Sequence, residues 1–116
     1  MNRHKLALDI LHEGTVIPAI PLVLDGNREF NPEGQRKLIR YYLNAGVGGL
    51  AVAVHTTQFE IRNPGVDLLE PVLKIAAEEI SAFEKESGKI IVRVAGVCGK
   101  TEQACREARL AKELGF

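Results

Sequence analysis

Residues 48–57, Gly-Gly-Leu-Ala-Val-Ala-Val-His-Thr-Thr, hold the side chains best placed to do chemistry. An apolar, β-branched run ends abruptly in His55, Thr56 and Thr57. Such a run reads as a buried strand, and α/β proteins bind substrates at the carboxyl ends of their strands. Two adjacent hydroxyls and the amides after them suit a carboxylate, because neutral donors orient an anion without adding a competing acid. The same two threonines also fit ordinary turn-formers at a strand edge. His55 has two readings as well: a polar group at a substrate-facing position, or an imidazole hydrogen-bonded to a loop carbonyl.

Other chemistry is less well supported. Gly46-Val47-Gly48-Gly49 runs from a helix into a strand, whereas a dinucleotide fingerprint runs from a strand into a helix. Gly96-Val97-Cys98-Gly99-Lys100-Thr101 follows a strand and contains Gly-Lys-Thr, but it is two residues short of a phosphate-wrapping loop. At most the helix start after it holds an anion weakly. His4, His12 and His55 are scattered without metal-ligand spacing, and His4 and His12 read as solvated helix residues. Cys98 and Cys105 are too few and too far apart for a disulfide scaffold or a zinc knuckle. No metal and no cofactor is expected.

The elements that position these residues alternate. A short amphipathic helix comes first, with Leu6, Ile10 and Leu11 on one face. Residues 15–24 read as an interrupted strand, since Pro18 and Pro21 cannot donate to a ladder. Asp25-Gly26-Asn27 signals a turn. Asn31 caps a helix with Pro32 at its first position and an apolar stripe at 38, 39, 42, 43 and 45, and Gly46 ends it. A strand over 48–54 and a loop over 58–66 follow. A long helix then runs from Asp67 or Pro71 to Ser87, with Leu69, Leu73, Ala76, Ala77, Ile80 and Phe83 facing the core. A third strand spans 89–95. Thr101 caps a last helix whose inward face is Ala104, Cys105, Ala108 and Ala111. The order β-α-β-α-β-α predicts a parallel sheet.

Bulk properties narrow the class. Hydrophobic residues make up 46% of 116 and charged residues 26%, which fits a folded globular chain rather than a disordered one. Fifteen basic residues balance fifteen acidic ones, so no general nucleic-acid footprint is expected. No apolar run approaches the roughly 20 residues that cross a bilayer, and Asp9 interrupts any signal-peptide core. The reading is a cytoplasmic protein without membrane or nucleic-acid partners. Three parallel strands leave apolar edges, so a fourth strand is expected to begin at Phe116.

Several matching stretches carry a resemblance. They are Ile17-Pro18-Ala19-Ile20-Pro21 running to Asp25-Gly26, Leu38-Ile39 with Tyr42-Leu43, and Ala45-Gly46-Val47-Gly48-Gly49-Leu50. Thr56-Thr57, Val94-Ala95-Gly96 and Ala111-Lys112-Glu113-Leu114-Gly115 complete them. In order and spacing the chain resembles the amino-terminal part of the dihydrodipicolinate synthase and N-acetylneuraminate lyase superfamily. These are Schiff-base aldolases acting on pyruvate and other 2-oxo acids. The resemblance implies that residues 1–116 are the first three βα units of a (β/α)8 TIM barrel, preceded by a short helix. It implies that Thr57 binds the 2-oxo acid carboxylate and that Thr56 joins a proton relay with a tyrosine further along. The Schiff-base lysine and that tyrosine are expected outside these residues. Of the seven lysines only Lys100 lies at the catalytic end of a strand, and it reads as a surface residue.

The family pattern Gly-Thr-Thr-Gly-Glu stands here as His55-Thr56-Thr57-Gln58-Phe59, with Glu60 one place late. Ile20 replaces the usual threonine of the first strand. His55 and Gln58 thus put side chains beside the substrate, and both are expected to contact it. A homo-oligomer, a tetramer by resemblance, is implied. Two alternatives remain: a catalytically inactive barrel that binds a metabolite or partner, and a stand-alone α/β anion-binding domain.

Overall fold

The apolar runs become two short parallel strands, β1 (Gly49–Val52) and β2 (Val92–Ala95), paired Gly49 to Val92 through Val52 to Ala95 in a computed structural model. It describes residues 2–116. Helices α1 (Arg3–Glu13) and α2 (Pro32–Asn44) precede β1, α3 (Leu69–Ser87) connects the strands, and α4 (Thr101–Glu113) follows β2.

Residues 15–24 lie along the other side of β1, but they form no continuous strand. One parallel bridge joins Ala19 to Ala51. Ile20 N donates to Ala51 O at 2.9 Å, and Ala51 N donates to Pro18 O at 2.9 Å. The prolines at 18 and 21 have no N–H to extend the ladder. The fully buried Gln35 of α2 takes over part of that pairing. Its Oε1 accepts from Val23 N at 2.9 Å and its Nε2 donates to Pro21 O at 3.0 Å. The expected order of elements is therefore present, while the three complete βα units reduce to a two-stranded sheet plus one bridged segment.

Alternation in the strands sets the layers. Leu50 and Val52 are fully buried in one cluster with Ile39, Leu43, Leu73, Ile80 and Ile91. Register places Arg93 beside Leu50, and its guanidinium reaches Glu84 and Ser81 of α3. Val94, one residue on and therefore on the opposite face, is 36% exposed.

Helix ends follow the sequence at most positions. Asn31 accepts from Gly34 N at 2.9 Å, with Pro32 opening α2. Gly88 closes α3 in the left-handed region. Two expectations change. Lys100, not Thr101, is the residue before α4, and no side chain caps it. The inward face of α4 matches the expected stripe only in part: Ala111 is buried and Ala104 half-buried, but Cys105 and Ala108 are exposed and Glu107 is buried instead. No residue of α1 is buried, and Leu11 is 45% exposed.

Charge ties α1 to the amino-terminal end of β2. Arg3 donates to Glu84 at 2.7 Å and to Ile91 O at 2.6 Å, and Ile91 N donates to Glu84 at 2.8 Å. Burial opposes ionisation of Glu84, but the bonds from Arg3, Ile91 N and Arg93 outweigh it and hold its carboxyl below the usual range.

Candidate functional site

The carboxyl end of β1 turns sharply. Ala53 takes φ 64°, Val54 is extended, and His55–Thr57 forms one 3-10 turn closed by Gln58 at φ 82°, ψ 120°. Thr57 builds that turn. Its side chain is fully buried, its hydroxyl donates to Ile20 O at 2.7 Å, and it accepts from Ala53 N at 3.2 Å. Its amide donates to Val54 O at 3.0 Å. One hydroxyl thus links the bridged segment 15–24 to the end of β1.

Thr56 and His55 point elsewhere. The Thr56 hydroxyl and His55 Nε2 are 3.2 Å apart, and the tautomer decides which of them donates. His55 is exposed and meets its neighbour's hydroxyl rather than a loop carbonyl. Gln58 is exposed on the rim, in a backbone region that favours glycine. Of the four candidate residues, the side chains of His55 and Thr56 meet, Thr57 lies beneath them in the core, and Gln58 borders the turn. Lys100 is exposed, as expected.

The turn rests on a buried ion pair that the sequence did not announce. A second 3-10 turn, Phe59–Arg62, carries Arg62 back under the strand ends. Arg62 Nη2 donates to Ala53 O at 2.7 Å and to Gly96 O at 2.9 Å, joining the ends of β1 and β2. Its Nε donates to Glu107 Oε1 at 2.7 Å, with both side chains less than 10% exposed. Glu107 also accepts from Cys98 N at 3.1 Å and from Gln103 at 2.8 Å. Burial pushes the Glu107 carboxyl up, but the bonds from Arg62, Gln103 and Cys98 N hold it below the usual range. Arg62 lies within the loop expected over 58–66. The one available signal was on α4, where Glu107 shares a face with Leu110, Ala111 and Leu114.

Gly96 lets the strand ends approach. A Cβ there would stand 2.6 Å from Ala53 O. Beside Gln58 a groove of about 330 Å³ is lined by Leu22, Leu24, Phe30 and Leu68. A wider cleft of about 490 Å³ lies between the start of α3 and α4, away from the threonines, and is lined by Arg62, Asp67, Glu70, Gln103 and Arg106. Among the described residues no group of three or more His, Cys, Asp or Glu side chains could hold a metal ion. No helix among them is long and apolar enough to cross a membrane.

Two parallel strands joined by the crossover helix α3, with a polar turn at the carboxyl end of β1, form an α/β arrangement. Among solved structures, the chain is similar to a catalytic-lysine mutant of the Ruminococcus gnavus sialic acid aldolase, with a TM-score of 0.62 and 27% identity. The match covers 88% of this chain and 31% of the aldolase. That aldolase is of the dihydrodipicolinate synthase and N-acetylneuraminate lyase superfamily, so the resemblance read from the sequence holds in three dimensions. No protein-family model and no curated protein matches the chain.

Proposed function

We propose that these residues are the amino-terminal part of a TIM-barrel aldolase or lyase acting on pyruvate or another 2-oxo acid through a lysine Schiff base. The lysine lies outside residues 1–116. The observation that carries this reading is the Thr56–Thr57 turn at the carboxyl end of β1, in a chain structurally similar to a sialic acid aldolase. Thr57 holds the substrate carboxylate and Thr56 relays a proton. His55 and Gln58 sit beside the carboxylate and narrow the choice of substrate. For Thr57 to donate to a carboxylate, its hydroxyl must release Ile20 O, so the substrate oxygen replaces that acceptor.

The same bond favours a second reading, a barrel that keeps the fold without turnover. In the absence of substrate the Thr57 hydroxyl proton is already used within the protein. Borohydride reduction of the full-length protein with pyruvate separates the two. Aldolase chemistry gives a stable mass increase on one lysine. An unchanged mass, with pyruvate still bound in a titration, establishes the inactive barrel.

A further inference from the structure

We propose that Arg62 is the positioning residue of the Thr56–Thr57 turn, holding the strained Ala53 peptide from which that turn departs. The 2-oxo acid reading supplies what the turn binds, while the geometry stands apart from it. Ala53 is pinned at both of its backbone groups. Its N–H donates to the Thr57 hydroxyl at 3.2 Å, and its carbonyl accepts from Arg62 Nη2 at 2.7 Å. Alanine at φ 64° is unfavourable and persists only where its surroundings over-determine it. Arg62 is the charged half of that determination. It extends the same nitrogen to Gly96 O, so the ends of β1 and β2 move as one body. Glu107 aims the guanidinium through Nε, and Cys98 N and Gln103 fix Glu107 in turn. Without Arg62 the Ala53 peptide relaxes toward extended backbone and the Thr57 hydroxyl loses the amide that orients it. Lysine keeps the charge but presents a point of donors instead of a planar fork, so it cannot bond Glu107 and both carbonyls in this geometry.

The test uses Arg62→Lys and Arg62→Met in the full-length protein. Amide hydrogen exchange over 54–58 is compared with exchange in α3, and pyruvate is titrated with borohydride trapping as the readout. Exchange at 54–58 rises about tenfold or more while α3 stays unchanged, as loss of one charge-assisted bond requires. The pyruvate concentration for half-maximal trapping rises about tenfold, with the extent at saturation unchanged. Exchange at 54–58 that stays at the wild-type rate overturns the proposal. So does a uniform rise that includes α3, which marks a purely structural arginine. A wild-type protein that takes no pyruvate adduct overturns the aldolase reading alone, and the exchange comparison still decides the role of Arg62.

Discussion

Replacing Thr57 by valine removes a single oxygen and keeps the shape of the side chain. The oxygen serves two partners, Ile20 O at 2.7 Å and Ala53 N at 3.2 Å, and Ile20, Ala53 and Thr57 are all fully buried. Each partner left unsatisfied costs about 1–3 kcal/mol, and burying the new methyl returns about 0.8 kcal/mol. Thr57→Val is therefore expected to destabilise by about 1–5 kcal/mol. Thr57→Ser keeps both bonds and loses one methyl, a cost of about 1 kcal/mol. Urea unfolding of the full-length protein, read as midpoint shifts at constant slope, ranks the two variants. The midpoint should fall for both, and further for valine than for serine. A valine variant as stable as the serine variant would refute the claim that the hydroxyl, rather than the apolar bulk of Thr57, holds the turn.

Three further perturbations follow from the same geometry. Gln58→Gly relieves backbone strain of about 1–3 kcal/mol at φ 82°, against about 0.5–1 kcal/mol of added unfolded-chain freedom. The urea midpoint should rise, and a fall would contradict the strain. Gly96→Ala puts a methyl against Ala53 O and should destabilise by about 1–3 kcal/mol, with thermal unfolding as the measurement. Glu84 and Glu107 both ionise below the usual carboxylate range, so their stabilisation is fully present above about pH 5. It is lost as pH falls below the ordinary value of about 4.3 and through their lowered folded-state values. Urea midpoints recorded from neutral to acid pH should decline over that window, and Glu107→Gln should flatten part of the decline.

The elements were legible where one local cause sufficed. Asn31-Pro32 set the start of α2, and Gly88 set the end of α3. The apolar spacing of Leu73, Ala76, Ala77, Ile80 and Phe83 gave the buried face of α3. The prolines at 18 and 21 correctly signalled an interrupted strand, but Gln35 as the substitute partner was not readable, because a buried glutamine in a helix has no local signature. The face of α4 was misread at 105 and 108 because small residues there resemble a core stripe. A carboxylate at Glu107 instead turned inward to meet an arginine 45 positions away. At the site, the position of the threonines at a strand end was legible. The opposite orientations of Thr56 and Thr57 were not, since they depend on the carbonyl of Ile20, 37 residues earlier.

The central claim is that the Thr56–Thr57 turn receives a carboxylate. A crystal structure of the full-length protein with pyruvate tests it most directly. The pyruvate carboxylate is expected within hydrogen-bond distance of the Thr57 hydroxyl, with the bond from that hydroxyl to Ile20 O broken. A carboxylate bound elsewhere, with Thr57 still donating to Ile20 O, would contradict it.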